Sequence, residues 1–143
     1  MDYVDCCVEE KLMKENLIND LSTEEWKRNL FFDKYLQYEH LYESEEKIRL
    51  SLILPYGGFN NPNDIDIYLK EFLISSIDEI FEWFFDKKQR VLRMKFELKS
   101  NIGYVISERN GVKEETNQVV LALRRDNTGA TKYGFYISAF NVV

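Results

Sequence analysis

"IFEWFFDKKQRVLRMKFELKS", Ile80 to Ser100, contains the change of period that decides the fold. Before it and into it, Ile65, Leu69, Phe72, Leu73, Ile77, Ile80, Phe81 and Phe84 recur at three- and four-residue steps. That spacing predicts one long helix of about five turns. After Asp86, Leu92, Met94, Phe96 and Leu98 alternate with Arg93, Lys95, Glu97 and Lys99. A period of two is that of a strand, here with one buried face and one basic face.

Downstream the strand pattern continues. Asn101 makes a turn, residues 102–107 form a second strand, 108–117 a loop, 118–125 a third strand, and Tyr133 to Val142 a fourth. Strict alternation sets Tyr136, Ser138 and Phe140 on one face of the closing strand and Phe135, Ile137 and Ala139 on the other. Arg124 and Arg125 likewise point to opposite faces, so one approaches a site on the Ser138 side and the other is surface.

Upstream the chain is helical. Residues 8–20 form a mostly polar helix, and Ser22-Thr23-Glu24-Glu25 reads as a capping box that opens a second helix carrying Trp26, Leu30 and several aromatic residues toward His40. A further helix over 44–53 ends at Pro55, where Gly57-Gly58 forms a turn. In the loop 59–64, Asn63 or Asp64 caps the long helix. Helices followed by strands predict an α+β fold: N-terminal helices, then an antiparallel sheet.

At 143 residues without a Pro- or Gly-rich linker, the chain is expected to form one domain, with residues 1–38 as a helical extension. Aromatic content of 15% argues against disorder. The two cysteines are adjacent, Cys6 and Cys7, and His40 is the only histidine, so neither a disulfide framework nor a zinc ligand set is expected. No cofactor is implied. An acidic N-terminal segment and the lack of a long apolar run predict a cytoplasmic chain with no membrane partner. The formal net charge of -6 opposes non-specific binding to nucleic acid, but Lys and Arg concentrate after residue 86, which leaves room for a local basic face.

From His40 onward the order of features resembles the RNase A-like toxin domain of bacterial contact-dependent growth inhibition proteins. The resemblance is carried by HLYESEEKIRLSL (40–52), IDEIFEWF (77–84), GYVISERNG (103–111) and VVLALRRDNTGATKYGFYISAF (119–140). It implies an RNase A-like fold over 39–143. It also implies metal-independent cleavage of RNA, such as transfer RNA, with the 2′-hydroxyl as internal nucleophile, and a cognate immunity protein as partner.

That chemistry needs a base, an acid for the leaving 5′-oxygen, and donors for the phosphoryl oxygens. The family places a histidine, an arginine eleven residues on, and a Thr and Tyr on the closing strand. Here His40 fits the histidine and Ser138 keeps the Thr hydroxyl, whereas Ser51 stands at the arginine position and Phe140 lacks the phenol. Losing such a group costs on the order of 10²- to 10⁴-fold. Tyr136 is the substitute for the phenol, and Arg49, Arg124 or Lys132 for the cation. His40 and Ser138 are thus the expected catalytic residues, and Arg49, Arg124 and Tyr136 their support. The alternative is a non-catalytic relative that binds RNA or a protein, a class favoured by Ser51, Phe140 and the acidic balance.

Overall fold

A computed structural model describes residues 3–31, 44–50, 54–86 and 88–143, residues 3–7 by backbone alone. The order is α1 (Tyr3–Leu21), α2 (Trp26–Leu30), α3 (Glu45–Arg49), β1 (Tyr56–Phe59), a 3-10 turn (Pro62–Asp64), α4 (Ile65–Ser75), α5 (Ile77–Asp86), β2 (Val91–Glu97), β3 (Gly103–Ile106), β4 (Glu114–Thr116), β5 (Gln118–Arg125) and β6 (Phe135–Val142). The strands form two antiparallel sheets of three, ordered β1-β3-β4 and β2-β5-β6, instead of the single sheet expected. The α+β class and the progression from helices to strands are as predicted.

The alternation around Met94 sorts β2 as its sequence requires. Met94 is 5% exposed and Arg93 and Lys95 are exposed, while Leu92 and Phe96 pack against the core. The helices α4 and α5 supply the opposing apolar layer, with Leu69, Leu73, Ile80 and Phe81 fully buried against Leu121, Leu123, Phe135 and Ile137. Burying each such side chain stabilises by about 1.5–3 kcal/mol. Leu17, Leu21, Trp26 and Leu30 bring α1 and α2 into the same core. Asp20 on α1 accepts hydrogen bonds from Asn29 (3.3 Å), Lys132 (2.7 Å) and the Tyr133 hydroxyl, which ties the N-terminal helices to the approach of β6.

The two sheets meet where glycine removes the side chain. A Cβ on Gly57 would stand 2.5 Å from the Val142 carbonyl oxygen, and one on Gly103 would stand 2.7 Å from Val142 Cγ1 and run into the Gly58 carbonyl. Only glycine permits backbone this close. Beside the seam Phe59 stacks on Phe140 at 5.2 Å, and Phe72 of α4 stacks on Phe96 at 4.2 Å.

Several sequence expectations are corrected here. The capping box does not form: Ser22 Oγ and Thr23 Oγ1 donate back to the Asn19 and Asp20 carbonyls at 2.6 and 2.8 Å, closing α1, and Glu25 gives no side-chain cap to α2. The long helix is two helices, because the backbone at Ser76 leaves helical geometry. Asn61, not Asn63 or Asp64, provides the cap that precedes α4, its side chain accepting from the Asn63 amide at 3.1 Å. Gly57-Gly58 lies in strand β1, and residues 114–116 of the expected loop form β4. The helix predicted over 44–53 is described from Glu45 to Arg49; residues 32–43 and 51–53, with Tyr35, Leu36, Tyr38, His40 and Ser51, lie outside the described residues.

Candidate functional site

The face of β2-β5-β6 turned away from the core is the surface on which most of the expected site residues fall. In register, Val91 pairs with Arg124 and Arg124 with Tyr136, Arg93 with Ala122 and Ala122 with Ala139, Lys95 with Val120 and Val120 with Asn141. Arg93, Lys95 and Arg124 are exposed on this face, and among the described residues none of the three forms an ion pair. Arg93 and Arg124 are diagonal neighbours, roughly 7–8 Å apart by sheet geometry. Small residues between them, Val120, Ala122 and Ala139, leave the long cations standing above a low floor.

The closing strand departs from strict alternation at one point. Ala122 pairs with Ala139 but the next residue, Leu123, pairs with Ile137, so Ser138 is an extra residue, a β-bulge. Tyr136, Ser138 and Ala139 are half-buried, whereas Phe135, Ile137, Phe140 and Val142 are all buried. The expectation that Phe140 shares a face with Ser138 is therefore overturned: the bulge turns Phe140 inward, 2% exposed, against Phe59 and Phe72. A phenol there would bury its hydroxyl among aromatic rings.

Ser138 Oγ donates to the Ala122 carbonyl at 3.2 Å. That bond satisfies the bulge and leaves the hydroxyl oxygen's lone pairs as acceptors. To donate to a phosphate, the hydroxyl must turn away from Ala122. Tyr136 and Arg124 stand directly opposite one another two residues before the bulge, bringing a phenol, a guanidinium and an alcohol onto one surface.

Arg49 belongs to a different network. Its Nη1 donates to the Arg109 and Gly111 carbonyls at 3.1 and 2.6 Å, and its Nη2 lies 3.7 Å from Glu45, so this cation holds the turn after β3. Lys113 reaches the same Glu45 at 3.3 Å and sits over the Tyr104 ring at 5.0 Å. Burial, with Glu45 nearby, raises the Tyr104 pKa above its usual value. Glu45 has its Oε1 buried within this network.

Arg125 is the second correction among the basic residues. It is not a free surface group: Nε donates to the Gln89 carbonyl (3.0 Å), Nη1 to Phe84 (2.9 Å) and Nη2 to Trp83 (2.7 Å), with the guanidinium 4.8 Å from the Trp83 ring centre. It closes the C-terminal turn of α5, where carbonyls lack intrahelical partners. Sequence reasoning also missed Asp126, whose carboxylate accepts from the Thr128 amide (2.8 Å) and hydroxyl (2.6 Å) and from the Thr131 amide and hydroxyl (both 2.7 Å). Those bonds, from Thr128 first, hold its pKa well below the carboxylate range and shape the 126–131 loop that delivers the chain to β6. The Asp126-x-Thr128 spacing is an Asx-turn signal present in the sequence.

Among the described residues there is no cluster of three or more His, Cys, Asp or Glu side chains able to hold a metal ion, and no helix is long and apolar enough to cross a membrane. No family model and no curated protein matches the chain. Among solved structures it is similar to a chain of the CdiA-CT/CdiI complex from Y. kristensenii 33638, with a TM-score of 0.54 and 10% sequence identity, covering 85% of this chain and 99% of that one. At that identity the likeness is one of fold.

Proposed function

We propose that this chain is a toxin-type domain acting on RNA in the cytoplasm, a metal-independent ribonuclease of the RNase A-like kind, restrained by a cognate immunity protein. The observation that carries the reading is the grouping of Arg124, Tyr136 and Ser138 on a cationic sheet face. The similarity of the fold to a chain of a CdiA-CT/CdiI complex supports it. In this reading His40 removes the proton of the ribose 2′-hydroxyl, O2′ attacks phosphorus, and the P–O5′ bond breaks to leave a 2′,3′-cyclic phosphate. Arg124 neutralises the phosphoryl oxygens, Ser138 orients the phosphate, and the Tyr136 phenol gives its proton to the departing 5′-oxygen. Arg49 supports from the turn it holds, and residues 1–38 serve as a helical extension of the RNase A-like region 39–143.

The test is incubation of the purified chain with bulk transfer RNA, beside His40→Ala and Tyr136→Phe. Cleavage that leaves cyclic phosphate ends and falls by on the order of 10²-fold or more in each variant supports the reading. Uncut RNA after long incubation at micromolar protein refutes it. The Ser138 hydroxyl bonded to Ala122 and the Arg49 guanidinium bonded to Arg109 and Gly111 favour a second reading, a binding relative without catalysis. A salt-sensitive RNA complex without cleavage is its signature.

A further inference from the structure

Next to the sheet seam, where Asn60 follows Phe59 and Ile102 precedes Gly103, lies a cleft of about 200 Å³ lined by Asn60, Asn61, Asp64, Tyr68, Asn101 and Ile102. It is well below the ~300–1,000 Å³ of clefts that hold drug-sized ligands, a size suited to one planar heterocycle. Its walls are set in place by internal bonds. Asn60 Nδ2 donates to Glu115 at 3.1 Å, the Asn60 amide donates to the Ile102 carbonyl at 2.9 Å, and Asn61 uses both ends of its side chain, on the Asn63 amide (3.1 Å) and Asp64 Oδ2 (3.2 Å). Tyr68 is backed by Phe72, ring centres 6.2 Å apart.

Among the described residues, three groups on this wall have no hydrogen-bond partner: the Asn101 side-chain amide, the Tyr68 hydroxyl and Asp64 Oδ1. Together they present a donor-acceptor amide, an aromatic ring with a hydroxyl, and an acceptor-only carboxylate oxygen. This is the chemistry with which proteins hold an unstacked base, by stacking on an aromatic ring and bonding its edge. A carboxylate selects among bases, because it accepts from an exocyclic amine and repels a carbonyl.

We infer that this cleft is a nucleobase subsite that takes a base carrying an exocyclic amine, such as adenine or cytosine, and disfavours uracil. Asp64 Oδ1 accepts from the amine, and the Asn101 amide supplies the complementary pair on the adjoining edge. The inference rests on the RNA reading above and adds base preference to it. The cleft lies beside the inward side of β6, whose outer side is the cationic face: Asn60 follows Phe59, which stacks on Phe140, and Ile102 precedes Gly103 at the Val142 seam.

The experiment uses uncharged nucleosides, so that it does not depend on the phosphate-binding face. Adenosine, cytidine and uridine are titrated into the isotope-labelled chain while the Asn101 side-chain amide resonances are followed. Saturable shifts are expected for adenosine and cytidine, with uridine weaker by on the order of tenfold, the scale of one good edge contact. Asp64→Asn, read on the same Asn101 resonances, is expected to abolish the difference, because an amide in place of the carboxylate no longer repels a carbonyl. Equal binding of the three, no saturable shift, or a preference that survives Asp64→Asn overturns the inference. Nucleoside binding with no affinity for RNA of any sequence leaves the cleft standing and refutes the RNA reading instead.

Discussion

Neutralising the outer sheet face is the perturbation whose magnitude follows most directly from the structure. Arg93, Lys95 and Arg124 are exposed, occupy neighbouring positions of β2 and β5, and have no ion pair among the described residues, so all three charges are available to phosphates. Each phosphate contact to a single strand adds about 0.7 to the slope of log K against log salt, which at ~0.15 M corresponds to roughly fourfold in affinity. The triple variant Arg93→Gln, Lys95→Gln, Arg124→Gln should therefore lose roughly 50-fold in affinity and about 2 in slope. Fluorescence anisotropy of a short labelled RNA, measured across a salt series, reads both quantities. Arg109→Gln, on the exposed turn after β3, is the control and should change the slope by less than any one of the three. An unchanged slope in a triple variant that melts like the wild type would show that RNA does not lie on this face.

Two further outcomes concern the scaffold. Arg125→Ala leaves the Trp83, Phe84 and Gln89 carbonyls without their donor and removes a cation from the Trp83 ring, and should cost about 2–4 kcal/mol. At roughly 0.3 kcal/mol per kelvin for a chain of this length, that is a fall in Tm of about 10 °C by calorimetry. Asp126 has a folded-state pKa depressed from its ordinary 3.8, so its contribution is present above that value and is lost as pH falls toward the folded pKa. Asp126→Asn should accordingly lower stability at neutral pH and flatten its decline below about pH 4 in urea titrations, whereas an identical acid slope in both proteins would contradict the assignment.

The elements that rest on a sustained period were legible in the sequence. Leu92 to Leu98 alternate over enough residues that only a strand with a basic outer face satisfies them, and Ile65 to Phe84 keep a helical spacing throughout. What the pattern missed was local. Ser76 interrupts the helix without breaking the apolar spacing, so periodicity alone does not reveal two helices. Gly57-Gly58 reads as a turn because glycine is usually chosen for its dihedrals, whereas here Gly57 makes room for Val142 and Gly58 for Ile48 and Tyr104. Ser22 and Glu25 have the spacing of a capping box, but the hydroxyl finds the Asn19 carbonyl first.

Of the residues the sequence singles out, Arg124, Tyr136 and Ser138 lie on one sheet face. Arg49 and Arg125 show why charge alone is a poor guide, because each carries a full guanidinium that is consumed by backbone carbonyls contributed from distant positions. Such partners have no signature in a linear pattern. The Asp126 loop is legible in the Asp-x-Thr spacing, which favours an Asx-turn.

The extra residue at Ser138 sets the phase of everything after it. Were Ser138 drawn into the ladder opposite Ala122 in place of Ala139, the last residues of β6 would shift by one, presenting Phe140 and Val142 to water and Asn141 to the core, and the wedge that locks one sheet against the other would be withdrawn. A hydroxyl and a ring counted two positions apart on an even strand are consequently on opposite sides of this one. Loss of Ser138 itself would leave a regular strand with Phe140 and Val142 still inward, so this surface can shed its alcohol without disturbing the rings packed beneath it.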